Sequence, residues 1–199
     1  QKIDKHTGAW MDIWNELTQE TGKSAGYTNM VSAATTAYVP LEFFFCRNPG
    51  LALPLIALQY HEVKINIVLG EKATADCSLW VDYIYLDTDE RRRFAQISHE
   101  YLIEQLQTQK SDGSGQNRLN FNHPCKFIAW KPADTVTEDG PCKLQLNGHD
   151  RMAERPSKYF THVQPYQHFP NVPTSNIHVY SFALKAAEHQ PSGTCNMSR

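Results

Sequence analysis

The residues with chemistry to offer are nine histidines and five cysteines. A zinc centre draws ligands from one face of an element, which HxH or HExxH spacing supplies. Neither pattern occurs. His61-Glu62 has no second histidine at ligand spacing, and His162 and His168 stand six apart in a Pro/Tyr-rich stretch that reads as a loop. Cys46, Cys77, Cys125, Cys142 and Cys195 contain no CxxC and are odd in number, which argues against both a zinc site and a disulfide framework. They read as reduced, buried thiols in a protein folded in the cytosol. Asn122-His123-Pro124-Cys125 sets a thiol beside an imidazole, but Pro124 reads as a turn, and catalytic Cys/His partners meet through the fold rather than through adjacency. A GxSxG elbow, a GxxxxGK[ST] loop and a GxGxxG loop are all absent. Asn196-Met197-Ser198 matches a glycosylation acceptor and reads as a structural asparagine. The expectation is no catalytic, cofactor-binding or metal-ligating residue.

Charge points the same way. Arg91-Arg92-Arg93 invites a nucleic-acid reading, yet Asp87, Asp89 and Glu90 precede it and make a locally neutralised surface. A formal net charge of -2 leaves no electrostatic footprint for a phosphate backbone, so direct binding of nucleic acid is not expected. With 41% hydrophobic and 20% charged residues, the chain has the composition of a globular protein that buries a core. The longest apolar stretch, residues 51–58, is broken by Pro54 and falls short of the roughly 20 residues that span a bilayer. Residues 1–6 do not read as a signal peptide.

The elements that would carry these residues alternate in period. Trp10, Ile13, Trp14 and Leu17 recur at helical spacing, with Gly22 as a stop. A polar Gly/Ser/Thr loop follows. Val39, Leu41, Phe43 and Phe45 then open a strand-like aromatic run ending at Arg47-Asn48-Pro49-Gly50. Val63, Ile65, Ile67 and Leu69 alternate with Lys64, Asn66 and Val68, the period of a strand with one face on a core. Another strand is expected over residues 79–86, and a capped helical turn over residues 87–94, acids first and bases last. Residues 108–116 are polar and Gly/Ser-rich, a connector. Strand signals resume over residues 118–122, 126–130, 143–147 and 177–184. Short strands with frequent turns point to a β-sandwich or jelly roll.

A faint internal repeat divides the chain further. Residues 1–6 with Trp10 resemble residues 148–152 with Tyr159-Phe160, and residues 38–45 with Pro49-Gly50 resemble residues 180–184 with Pro191-Ser192-Gly193. Each block would be one jelly roll. Longer strings carry a family likeness. Tyr38-Val39-Pro40-Leu41-Glu42-Phe43-Phe44-Phe45 and the stretch from Pro49 to Ile65 resemble a strand-turn-strand in the first jelly roll of major capsid proteins of chlorella viruses, iridoviruses and their relatives. Trp80-Val81-Asp82-Tyr83-Ile84-Tyr85-Leu86-Asp87-Thr88, with Arg93-Phe94-Ala95-Gln96 and residues 99–107, resembles the end of that domain and its exit. Arg118-Leu119-Asn120-Phe121-Asn122-His123-Pro124, Ala129-Trp130, Gln145-Leu146-Asn147-Gly148, Val163-Gln164-Pro165-Tyr166-Gln167, residues 180–185 and residues 189–199 resemble the second domain.

The resemblance implies an all-β, tandem (double) jelly-roll β-sandwich, both copies incomplete, with a short helix near the N-terminus. Residues 1–107 would be the C-terminal portion of the first jelly roll, 108–117 a linker, and 118–199 the N-terminal portion of the second; the loop over residues 131–141 is shorter than its counterpart. It also implies a structural role. Homotrimeric, pseudo-hexagonal capsomers would tile an icosahedral shell, meeting neighbouring capsomers and minor capsid proteins, near an inner viral membrane that this chain does not span. The virion would be its location and the host cytoplasm its place of assembly. No cofactor is implied. Because strands of each roll are missing, the chain alone is expected to be unstable or prone to aggregate. Two other classes share the architecture: a β-sandwich carbohydrate-binding module, which needs aromatics lining a groove, and a cupin-like metal oxygenase, which needs three converging ligands.

Overall fold

The computed structural model describes residues 2–20, 22–32, 36–70, 76–111, 115–132, 140–189 and 193–198. Two compact units result, one formed by residues 1–43 with 105–199 and the other by residues 44–104.

In the first unit, helix α1 (Gly8–Thr18) forms where the helical spacing places it. Thr7 caps it, its Oγ1 accepting from the Trp10 N–H at 3.3 Å. Trp14 and Leu17 are buried, and the helix stops at Thr18, four residues before Gly22, which adopts a left-handed φ of 91°. Its last carbonyls find partners in a distant loop: Asn171 donates through Nδ2 to the Glu16 carbonyl at 2.8 Å and through its N–H to the Leu17 carbonyl at 3.2 Å. The Glu16 carboxylate accepts from the Ser175 N–H and hydroxyl, so helix and loop are fastened twice. Helix α2 (Ser24–Val31) occupies the stretch that reads as a polar loop. It buries no residue, so it has no apolar stripe for periodicity to reveal.

Among the described residues, eight short strands pair antiparallel in twos. Strand β1 (Pro124–Cys125) pairs with β8 (Cys195–Asn196), β2 (Phe127–Trp130) with β7 (His178–Ser181), β3 (Pro141–Cys142) with β6 (Arg155–Pro156), and β4 (Gln145–Leu146) with β5 (His149–Asp150). The β4–β5 hairpin turns on Asn147-Gly148, both left-handed with φ of 52° and 79°, the dipeptide that two-residue hairpins prefer. Strand β7 is buried along its whole length and forms the centre of the unit. On one face Ile177 and Val179 join Leu17, Phe169, Ala183 and Ala186, with Ile13, Phe127 and Ala129 against them. On the other, Trp130 stacks on His178, and the fully buried Phe160 lies against Trp130 and Tyr180. Phe160 belongs to a π-helical turn (Tyr159–Val163) that runs into helix α5 (Gln164–His168). The Pro/Tyr-rich stretch around His162 and His168 is therefore helical rather than a loop, with Pro165 at the junction where the π-helical turn passes into α5.

The second unit holds helices α3 (Phe44–Arg47) and α4 (Thr88–Gln96) and a 3-10 turn, Pro49–Leu51. Asp87 caps α4, its Oδ1 accepting from the Glu90 N–H at 2.9 Å, with Asp89 and Glu90 early and Arg93 late, as the sequence indicates. Arg47 pairs with Glu104 at 3.3 Å, and the Tyr101 hydroxyl donates to the Ala52 carbonyl.

Four strand readings need correction. The aromatic run over residues 39–45 ends in α3, and residues 63–69, 79–86 and 118–122 form no strand. Alternation survives in part: Val63, Ile67 and Leu69 are each about half exposed while Val68 is 96% exposed, but no core covers the less exposed side. Period-two patterning records which side would face a core; a ladder also requires a neighbouring backbone. Residues 118–122 find that neighbour in side chains. Gln107 donates to the Asn122 carbonyl and accepts from its N–H, and Gln109 does the same for the Arg118 carbonyl and the Asn120 N–H. Two primary amides thus take the place of peptide groups in an adjoining strand. Most of the loop over residues 131–141, the centre of the connector at residues 112–114, and Pro191-Ser192 lie outside the described residues.

Candidate assembly surface

The histidines singled out in the sequence, His61, His162 and His168, find separate partners. The exposed Glu62 beside His61 pairs with Lys64 at 3.0 Å. His162 Nδ1 lies 2.8 Å from the Thr161 hydroxyl, and His168 Nδ1 lies 3.0 Å from the Leu184 carbonyl. Among the described residues, no group of three His, Cys, Asp or Glu side chains could hold a metal ion. The Cys125 thiol donates to the Phe127 carbonyl at 3.1 Å instead of meeting His123. Burial pushes that thiol up to about 11, with hydrogen bonding to the Phe127 backbone opposing and Cys195 adding to the rise, the reverse of what activates a nucleophile. The cysteines are not the buried set the sequence suggests: Cys46 and Cys77 are exposed, and Cys125, Cys142 and Cys195 are half-buried. Asn196 behaves as a structural asparagine, its Oδ1 accepting from the Ser198 N–H at 2.9 Å, while the Ser198 hydroxyl accepts from the His123 N–H. Of the three arginines, Arg92 approaches Asp89 at 3.8 Å.

One pair escapes sequence inspection. Ser157 Oγ lies 2.5 Å from His178 Nε2, joining residues 21 apart on β6's edge and β7. The distance suits a nucleophile and its base, but each residue is only 1% exposed. Burial lowers the His178 pKa, with the Asn176 backbone opposing, so the ring is held neutral in a sealed core. With no path for a substrate, the pair is a core hydrogen bond that satisfies two buried polar groups. A groove of about 560 Å³ beside α1 and α2 is lined in part by Asn15, Thr18, Glu20, Lys23 and Tyr27; its ionic groups Glu20 and Lys23 neutralise each other at 2.6 Å.

What the molecule does present is apolar surface on extended backbone. In the second unit, Trp80 is 84% and Tyr85 92% exposed, with Leu79, Val81, Tyr83 and Ile84 also exposed around them. Among the described residues, no backbone hydrogen bond joins residues 62–70 or 76–86 to another segment. Unpaired N–H and C=O groups beside large apolar side chains form a template for further strand pairing and apolar contact.

Comparison with known proteins accounts for a molecule that presents strand-pairing surface. The family model for the large eukaryotic DNA virus major capsid protein matches residues 90–142 and 133–199, and that for the major capsid protein N-terminus matches residues 1–87. The chain belongs to this major capsid protein family. It is 49% identical to the major capsid protein of Pyramimonas orientalis virus, covering all of this chain and 64% of that protein. It is 41% identical to the major capsid protein of Paramecium bursaria Chlorella virus 1, covering all of this chain and 62% of the relative. A quasi-atomic model of the latter virus's capsid superposes with a TM-score of 0.78 at 38% identity, over all of this chain and 66% of that one. This family member therefore spans less than two thirds of the length of these relatives. The Pyramimonas match runs over 255 residues against 199 here, so that capsid protein carries segments within the matched span that have no counterpart in this chain.

Proposed function

We propose that this chain is a structural subunit of a viral capsid shell, built on the double jelly-roll plan, and not an enzyme. The observation that carries the reading is the end-to-end match in both sequence and fold to capsid proteins, at 38% identity and a TM-score of 0.78 for the structure. Residues 1–107 belong to the first roll, 108–117 to the connector and 118–199 to the second roll. The exposure of residues 108–111 and 115–117 supports the connector.

Three such chains make one capsomer, because two similar rolls per chain give six wedges around a threefold axis. Capsomers then meet one another and minor capsid proteins in the virion's outer shell, after assembly in the host cytoplasm. No helix among the described residues is long and apolar enough to cross a membrane, in keeping with a shell subunit that lies outside the viral membrane. Size-exclusion chromatography with light scattering under reducing conditions, followed by electron microscopy, tests the assembly. Threefold particles of three chains are the expected result in whatever fraction of the chain escapes aggregation. A monomer at every concentration that binds an oligosaccharide would support the carbohydrate-binding alternative instead.

A further inference from the structure

We propose that Cys125 and Cys195 form an intramolecular disulfide that fastens β1 to β8. The two cysteines are directly opposite each other in an antiparallel pair, Cys125 against Cys195 and Pro124 against Asn196. The Met197 N–H donates to the His123 carbonyl at 3.1 Å, which sets the phase of the ladder. Two residues farther in, Cys125 and Cys195 take the same hydrogen-bonded position, because the two kinds of pair alternate along an antiparallel ladder. Opposed residues in such positions have Cα atoms about 5.5 Å apart, inside the roughly 4.4–6.8 Å that a disulfide spans. Directly opposed side chains also project from the same face of the pair. The remaining adjustment is in Cβ separation, from about 5.5 Å, the wide end for a hydrogen-bonded pair, to about 3.8 Å in a disulfide. Strands only two residues long can make that shift.

No other described cysteine has this arrangement. Cys142 stands opposite Arg155, and Cys46 and Cys77 lie in the other compact unit. The bond would close a loop that contains β2, β7, the π-helical turn and α5. Most of the first unit's core lies between its two ends.

The chemistry is thiol–disulfide exchange with a low-molecular-weight disulfide such as glutathione disulfide as oxidant. The Cys195 thiolate attacks one glutathione sulfur and expels a glutathione thiolate, leaving a mixed disulfide. The Cys125 thiolate then attacks the Cys195 sulfur and expels the second glutathione. Two protein thiols are oxidised, one glutathione disulfide is reduced, and the two protons leave on the two glutathione thiols. The half-buried Cys125 thiol, raised to about 11, gives up its proton reluctantly, so closure is slow near neutral pH and the thiols persist through folding in a reducing compartment.

The bond lies within one chain and forms whether or not that chain builds a shell. The test is to hold the full chain in glutathione disulfide at pH 9 and block the remaining thiols. Peptides are then mapped by mass spectrometry without reductant. A Cys125–Cys195 linked peptide from monomeric protein is expected, retained in the Cys46→Ser/Cys77→Ser/Cys142→Ser variant and lost in Cys195→Ser. Should a variant fail to fold, the wild-type map decides by itself. Recovery of Cys125 and Cys195 as blocked thiols, or joined only to other cysteines, would overturn the proposal.

Discussion

Leu17 and His178 represent the two kinds of residue that hold the first unit together. Leu17 is fully buried at the meeting of α1 and β7, where truncation to alanine leaves a cavity. Leu17→Ala should cost about 2–5 kcal/mol, read as a lowered midpoint in urea unfolding with little change in slope. His178 acts through its proton. Its folded pKa lies below the ordinary value of 6.5 because burial disfavours the charged ring. Above about 6.5 neither state is protonated and the group is neutral in its effect. As pH falls below that value, the unfolded chain takes up a proton before the folded one does, so stability declines toward the lower folded pKa. The pH dependence of unfolding from 7.5 to 5 should therefore be shallower in His178→Gln than in the wild type; identical slopes would show that His178 does not carry it. The Ser157–His178 contact was not legible in the sequence, since the partners are 21 residues apart and neither belongs to a motif. Leu17 was legible, because helical spacing alone puts it on the buried stripe of α1.

Local signals fared well wherever an element contains its own partners. Helix α4 carries its cap, acids and bases within one stretch of chain, so it could be read in advance, whereas the strand signal over residues 143–147 runs into the Asn147-Gly148 turn of the β4–β5 hairpin. Replacing the α4 cap in Asp87→Ala should cost on the order of 1 kcal/mol of local stability. Faster hydrogen exchange at the Glu90 amide, with core amides of β7 unchanged, is the expected result; equal protection at Glu90 in both proteins would contradict the capping role. The strands over residues 63–69 and 79–86 were misread for the opposite reason. Their alternation is genuine, but a strand is completed by a second backbone that the local sequence cannot supply. Helix α2 escaped notice because it buries nothing, and residues 118–122 because glutamine side chains, rather than a strand, satisfy their backbone.

At the scale of the whole molecule the unpaired segments become surface. The family likeness was legible from long strings spread through the chain, and the comparisons bear it out from residue 1 to residue 199. Residues 79–86 expose large apolar side chains on backbone that no ladder pairs. Trp80 and Tyr85 are the most exposed large residues of the 79–86 stretch, so little intramolecular packing is lost when they change. Substituting both by lysine adds charge to an edge that would otherwise recruit another strand, the means by which exposed edges are kept apart. Each large side chain buried between chains contributes roughly 1.5–3 kcal/mol, so removing two should weaken self-association by more than tenfold in concentration. Sedimentation velocity across a concentration series is the measurement, with circular dichroism and urea unfolding to check that the fold is retained. We expect the wild-type chain to associate and Trp80→Lys/Tyr85→Lys to remain smaller at the same concentrations. Matching sedimentation of the two proteins, with the fold intact, would mean that association runs through another surface and that residues 79–86 are only an exposed edge.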